Sequence, residues 1–372
     1  MRRYLRPLHR WLGLTLGCWF AAVGLTGSVL VWHQELDQAL NPVLQGKVAV
    51  SPLPPSAVLE ALAAHRPQAR PLLLMAPDAH SRHYVVWALQ DPGSFWRGTE
   101  YRQYYLDPGS GALLAERSWG AALFDRLHLI NTLYALHSHL LLGEIGSWAV
   151  GLGGLFLLLS VGMGVTLAWP RRRQWRRVLG VKWRAAPVRR WWDLHRAGGL
   201  WLALPLLVLA VSGLYLSFPQ AFTQATAALL PFEAPPRARS VALPGAADIG
   251  PDRAVALAQA ALPGARWQRI GLPSGPDSVY EVRLIRPGDL WQRGGGNRVW
   301  LDRYTGAPLW ILEARRQRAG NTFIHWQFPL HSGEALGLAG RVLWTLAGLL
   351  PLLLLVSGFA VWRRTRRHAT RS

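Results

Sequence analysis

The sequence predicts a membrane α+β protein: four transmembrane helices in two parallel pseudo-symmetric repeats, with two small helix-plus-antiparallel-sheet modules on one side of the membrane. Three observations predict it. Leu8-His9-Arg10 and Leu194-His195-Arg196 each open a long apolar segment, 186 residues apart, and each histidine is followed eighteen residues later by a glycine, Gly27 and Gly213. Four stretches, Trp11–His33, Ile145–Pro170, Ala197–Phe218 and Val342–Trp362, carry no charged residue, and a bilayer span needs about 20 apolar residues. Two polar segments end in the same turn sequence, Asp107-Pro108-Gly109-Ser110-Gly111 and Asp302-Arg303-Tyr304-Thr305-Gly306.

The charge supports a membrane topology. The chain has 372 residues, 51% of them hydrophobic, and a formal net charge of +21. Four arginines lie in residues 1–10, nine Lys/Arg with one Asp in 171–193, and five arginines in 363–372, which leaves only +4 for the rest. Basic residues that flank apolar runs follow the positive-inside rule. A nucleic-acid-binding protein would instead display them on a folded surface, and no nucleic-acid partner is expected. The N-terminus, the 171–193 loop and the C-terminus are therefore read as cytoplasmic, and 34–140 and 219–340 as external, periplasmic in a Gram-negative host. The first apolar run is too long for a signal peptide and has no small-x-small cleavage site, so it reads as a retained anchor. Cys18 is the only cysteine, which excludes disulfides and a cysteine-ligated cluster.

The elements follow in order. Helix 1 and its flanks occupy residues 1–36. A first module fills 37–136, with a helical pattern from Pro55 to Leu62 and strands at Tyr84–Leu89 and Tyr101–Leu106. Aromatic and β-branched residues before a Gly-containing turn suit hairpins. Helix 2 is placed at 137–170, the basic loop at 171–193 and helix 3 at 194–220. The second module takes 221–330, with a helix at Asp252–Leu262 and strands at Ser278–Ile285 and Asn297–Leu301; Pro219–Asp248 reads as irregular or interfacial. Helix 4 spans 331–363 and a cytoplasmic tail 364–372. Modules this small have limited cores and should pack on each other or on the membrane domain.

The Leu-His-Arg starts, the four spans and the paired Asp-x-x-[Ser/Thr]-Gly turns resemble the PepSY-associated transmembrane proteins. So do Leu136-His137-Ser138-His139 before the second span and Leu330-His331-Ser332-Gly333 before the fourth. Within that family the sequence resembles the ferrioxamine-type ferric-siderophore reductases. The resemblance implies PepSY-like periplasmic modules and a bacterial inner-membrane oxidoreductase using haem b. Such an enzyme passes electrons across the bilayer to ferric iron chelated by a siderophore, of hydroxamate type, and releases Fe(II) in the periplasm. The alternative is a non-enzymatic PepSY-type membrane protein that binds peptides or regulates a protease or siderophore uptake.

Twelve histidines are present. His65, His80, His83 and His368 lie in polar or terminal context and read as surface residues. His9 and His195 fall at equivalent repeat positions, and neutral imidazole is a good axial haem ligand. They are the candidate ligands of an inner haem, with Arg10 and Arg196 as propionate partners. The plainer reading makes each an interfacial histidine beside a positive-inside arginine. His137 and His331, each six residues before a glycine, form a second equivalent pair for an outer haem. That pairing stays open at this level, because His33, His139 and His325 lie nearby and His33 is the chief rival. His9 to His33 is about 36 Å of helix at 1.5 Å per residue, so two haems are expected rather than one. Small residues in the spans, Gly24, Gly27, Ser28, Gly164, Gly213 and Gly358 among them, serve either close helix packing or a flat macrocycle. The uncharged spans argue against an ion-coupled carrier. No dinucleotide or Walker motif appears, so electrons would come from quinol or a partner protein. Trp96, Arg97, Trp291 and Arg293 are candidate substrate contacts in loops.

Overall fold

Apolar length and bilayer physics fix the long helices, and the two polar segments fix one sheet above them. The computed structural model describes residues 2–44, 51–78, 81–91, 99–170, 174–242, 245–291 and 294–369. The first half runs α1 (Arg2–Leu30), α2 (His33–Leu40), α3 (Pro55–His65), β1 (Pro71–Met75), β2 (Tyr84–Asp91), β3 (Glu100–Leu106), β4 (Leu113–Trp119), α4 (Leu129–His139) and α5 (Gly143–Ala168). A short α6 (Trp175–Leu179) leads to the second half: α7 (Pro187–Trp201), α8 (Ala203–Ser217), α9 (Pro219–Leu229), α10 (Gly250–Ala261), β5 (Arg266–Gly271), β6 (Tyr280–Ile285), β7 (Asn297–Leu301), β8 (Pro308–Leu312), α11 (Ala319–Ser332) and α12 (Gly337–Ala369).

Among the described residues α1, α5 and the segment Glu334–Thr365 are each long and apolar enough to cross a membrane. The third expected span is not one helix. α7 and α8 meet at a 59° bend. Pro205 has no N–H to give the carbonyl of Trp201, so the helical ladder is interrupted there. α1 lies along α12 and α5 along α8. Gly24 and Gly348 let the first pair of backbones touch, since a Cβ on Gly24 would strike the Gly348 carbonyl. Ser28 Oγ donates to the Thr345 carbonyl at 3.0 Å in the same seam.

The sequence divides the extramembrane part into two modules, but the structure joins their strands into a single eight-stranded antiparallel sheet, ordered β4-β3-β2-β1-β5-β6-β7-β8. The joining strands are among the four, β1, β4, β5 and β8, that pattern reading passes over. β1 pairs with β5 through Leu73–Gly271, Leu74–Ile270 and Met75–Arg269. Val58 and Leu62 of α3 and Ala254 and Ala258 of α10 cover one face, against Leu74, Val86, Leu106, Ile270, Val282 and Val299, in one continuous core. The Asp-x-x-[Ser/Thr]-Gly sequences close β3–β4 and β7–β8. Asp107 Oδ1 accepts from the Gly109 and Ser110 N–H groups, and Asp302 Oδ1 from those of Tyr304 and Thr305. Gly111 and Gly306 follow at φ +72° and +73°, a left-handed conformation that only glycine adopts without strain. Of the segment expected to be irregular, α9 accounts for Pro219–Leu229.

The second face of the sheet rests on the helical part. Arg117 of β4, 2% exposed, pairs with Asp37 of α2 through two bonds of 2.9 Å. It also donates to Tyr105 Oη, which donates to Gln103 Oε1, and Asn131 of α4 donates to the same oxygen. This chain of buried bonds ties α2, the sheet and α4 together. Burial pushes the Tyr105 hydroxyl up to about 12, so it stays protonated and keeps donating.

Asp37→Ala leaves a buried guanidinium without its carboxylate, and the expected loss is about 3–5 kcal/mol. Asp37→Ala with Arg117→Met should recover most of it; chemical denaturation in detergent tests both. Asp302 gives a pH test. Burial opposes its ionisation, but the N–H groups of Thr305, Tyr304 and Val241 outweigh that and hold its carboxyl below the usual carboxylate range. Its contribution is complete above the unfolded value of about 3.9 and drains as pH falls through the lower folded value. The stability gap between the protein and Asp302→Asn should therefore narrow in acid. A gap that stays constant from pH 7 to pH 3 would contradict this.

Candidate functional site

Four imidazoles enter the helical bundle as two pairs. His9 of α1 and His195 of α7 have ring centroids 6.1 Å apart at an interplanar angle of 74°. His137 of α4 and His331 of α11 have the same 6.1 Å separation at 53°. His137 and His331 do not lie on the spans that follow them, as the sequence reading placed them. Each is near the end of a separate helix, and a tight turn then reverses the chain into the span. Leu140, Leu141 and Gly143 have positive φ in the first turn, and Gly333 and Gly337 in the second. Leucine seldom adopts that region. The cost there is accepted where the reversal brings His137 back against α1.

Each ring is held by one construction. His137 Nδ1 lies 3.1 Å from the Val23 carbonyl and 3.1 Å from Thr26 Oγ1. His195 Nδ1 lies 3.0 Å from the Leu354 carbonyl and 3.1 Å from Ser357 Oγ. His331 Nδ1 lies 2.9 Å from Ser212 Oγ. His9 Nδ1 lies 3.3 Å from Ser160 Oγ. A carbonyl can only accept, so Nδ1 carries the proton in His137 and His195. The hydroxyls of Thr26, Ser212 and Ser357 donate to carbonyls on their own helices, which leaves their lone pairs to accept from Nδ1. A neutral imidazole protonated at Nδ1 has its one lone pair at Nε2, free for a ligand bond.

A glycine lies under each ring. A Cβ on Gly27 would sit 3.0 Å from His137 Cε1, one on Gly164 3.2 Å from His9 Cε1, one on Gly213 3.5 Å from His331 Cε1, and one on Gly358 3.2 Å from His195 Cε1. The small residues therefore divide by task. Gly24 and Gly348 serve helix contact, while Gly27, Gly164, Gly213 and Gly358 serve the histidines. The signal was present in the sequence as Thr26-Gly27, Ser212-Gly213 and Ser357-Gly358, with Met163-Gly164 as the variant. Its meaning depends on which helices face each other.

The donor set suits an axially ligated flat cofactor. Two imidazoles on one metal, each with a metal–nitrogen bond of about 2.0–2.1 Å, have centroids roughly 6 Å apart, close to both observed spacings. Among the described residues no group of three or more His, Cys, Asp or Glu is placed to hold a metal ion, so each pair supplies two protein ligands and no more. The His9 and Gly27 levels are eighteen residues apart on α1, about 27 Å of rise, which puts the pairs near opposite faces of a ~30 Å hydrocarbon layer.

The other candidates lie elsewhere. His33 bonds the Leu30 carbonyl at 2.8 Å at the end of α1. His139 is on the turn after His137, with Nδ1 buried and unbonded. His325 packs against Gly296 and against Trp291 at 6.2 Å. None is brought to either pair. Arg196 is engaged by Asp193 at 2.8 Å and by the Val178 and Arg177 carbonyls, so it braces α6 against α7. Arg10 is exposed and lies over Trp11. Trp291 sits beside Phe328 at 5.0 Å. Trp96, Arg97 and Arg293 fall outside the described residues. So does His80 of the histidines read as surface residues, whereas His83 is buried against Tyr105.

A family model described as the PepSY-associated TM region matches residues 6–365. No curated protein matches the chain.

The ring-contact glycines should tolerate no larger side chain. Gly27→Leu and Gly358→Leu should each displace one imidazole and lower the melting temperature in detergent. Gly162→Leu, whose Cβ would meet nothing within 4 Å, should leave it unchanged. Thermal melting of the purified chain measures this, and equal loss in all three would refute the assignment.

Proposed function

Since the chain belongs to the PepSY-associated TM family, we propose that it is a haem-dependent membrane reductase, built as two parallel repeats, that delivers electrons across the bilayer to ferric iron held by a siderophore. The observation that carries this reading is the pair of histidine sites at one spacing, with His137, His195 and His331 donating from Nδ1 and so open at Nε2. His9 with His195, and His137 with His331, would each hold one haem b. When bound, haem supplies reversible one-electron transfer.

The chain's own residues account for the rest. Carbonyl and hydroxyl acceptors fix tautomer and ring direction, a role that partners of ligating histidines commonly fill and that also raises ligand basicity. The apolar spans keep water from both pairs. The basic termini and the 171–193 segment favour the cytoplasmic side, which would place the sheet in the periplasm of a bacterial inner membrane. Electrons would then enter at the His9–His195 level, from quinol in the lipid or from a donor protein. They would leave at the His137–His331 level, beneath the sheet. A ferric siderophore docked there is the electron acceptor. Hydroxamate oxygens are hard ligands and hold Fe(II) less tightly than Fe(III), so reduction loosens the iron. Trp291, beside α11, is the described residue best placed among the candidate contacts.

The purified protein from a haem-replete host should show a Soret band and sharp α and β bands on dithionite reduction. His9→Ala or His195→Ala should each remove about half the haem, and the reduced protein should be reoxidised by a ferric hydroxamate. A colourless folded protein would sink the reading; haem without reoxidation by any chelate would remove the substrate alone.

A further inference from the structure

The sheet face turned away from α3 and α10 carries a row of arginines. Ile270, Val282 and Val299 point into the core and are fully buried. Their strand neighbours Arg269, Arg283 and Arg298 occupy the other face. Register sets Arg269 opposite Arg283, and Arg283 opposite Arg298. Arg269 also faces Met75 across the β1–β5 seam, so the row starts at the centre of the sheet. Like charges directly opposite each other on a sheet are destabilising. One carboxylate answers three guanidinium groups: Glu281 lies 2.8 Å from Arg283 and 3.8 Å from Arg298. Among the described residues the buried Arg298 Nε has no hydrogen-bond partner.

The row lies toward the His137–His331 pair. Tyr215 of α8 interacts electrostatically with Arg283 and Arg298, and it is two residues beyond Gly213, which touches the His331 ring. His325 of α11 interacts with the same two arginines, two helical turns before His331. Trp291 Nε1, beside His325, is another buried donor without a partner. Burial, with Arg283 adding to it, pushes Arg269 down to about 9 and Arg298 to about 10. Holding such a row together is costly unless an anion completes it.

We propose that Arg269, Arg283 and Arg298 form a carboxylate-binding row above the His137–His331 pair, with two available sources of that group: the porphyrin held by the pair, or an anionic iron chelate docked beside it. The porphyrin source rests on the haem reading above; the chelate source does not. Guanidinium is suited to this task because its planar fork takes a carboxylate through two parallel bonds. The sheet-side end of the bundle is where porphyrin carboxylates would leave the apolar layer.

The test uses the full chain in detergent, produced in a haem-limited host. Haemin, haemin dimethyl ester and ferric citrate are titrated into the wild type, Arg269→Leu/Arg298→Leu and Arg269→Lys/Arg298→Lys. If the row takes porphyrin carboxylates, haemin binds the Leu variant about ten- to hundred-fold more weakly. The ester, which has no carboxylate, then binds both alike, and the Lys variant falls between. If the row serves the chelate, haemin affinity is unchanged and ferric citrate binding drops in the Leu variant. Unchanged binding of both haemin and ferric citrate overturns the proposal. A wild type that takes up no porphyrin removes the haem reading alone, and the ferric citrate arm then decides the row by itself. Thermal melting of the haem-free Leu variant should be equal to or above wild type, because like-charge repulsion is relieved. A large drop would mean the row is a structural element instead. If the Leu variant does not fold, the Lys variant, which keeps charge but loses the fork, decides by the same comparison.

Discussion

The contact of an imidazole Nδ1 with a neighbouring helix is the constraint the rest of the structure serves. It occurs four times, to a Ser or Thr hydroxyl each time and to a carbonyl as well at His137 and His195, and it determines what a ring can do, because a ring that donates from Nδ1 presents a lone pair at Nε2. The bond requires the partner helix to approach within contact of the ring, which requires glycine at that level. It requires the ring to enter the bundle from a helix at the right height. For His9 and His195 the spans themselves meet that requirement. For His137 and His331 it takes an extra helix and a reversal through left-handed backbone.

The sheet holds those extra helices. α4 bonds to it through Asn131 and Gln103, and α11 packs against it through His325 and Gly296. The two arms that carry the sheet-side histidines are thus joined through β1 and β5 rather than only through the membrane helices. A break in the Asp37–Arg117–Tyr105–Gln103–Asn131 network would be felt at His137, about two helical turns from Asn131.

Much of this was legible in the sequence, and for identifiable reasons. Spans declare themselves by uncharged length, and matched spacing singles out equivalent positions, so the pairing of His9 with His195 could be read without coordinates, while that of His137 with His331 stayed open against His33. The Asp-x-x-[Ser/Thr]-Gly turns were visible because the Asp and Gly perform local jobs. What was hidden depended on tertiary context. β1, Pro71–Met75, is a short apolar run without alternation, and β5, Arg266–Gly271, alternates only once its two faces are known. Their pairing, which turns two modules into one sheet, has no local signature. The break between α7 and α8 could have been suspected from Pro205, yet an apolar run of that length conceals it. The glycines were seen, but which of them face a ring depends on which helices are neighbours.

Two four-stranded halves that meet at corresponding strands form the same arrangement that a pair of separate half-length chains would make. In such a dimer β1 would be an open edge able to capture a second copy, and the two sides would have to be identical. Covalent joining removes that identity requirement. One half of the inner sheet face carries Trp87, Tyr101 and Trp119 packed toward Tyr134, beside Arg117 on Asp37, while the other carries Arg269, Arg283 and Arg298 beside Trp300 and Trp310. The seam is thus what allows two matching four-stranded halves to carry different side chains, and so to present one orientation to whatever approaches the sheet.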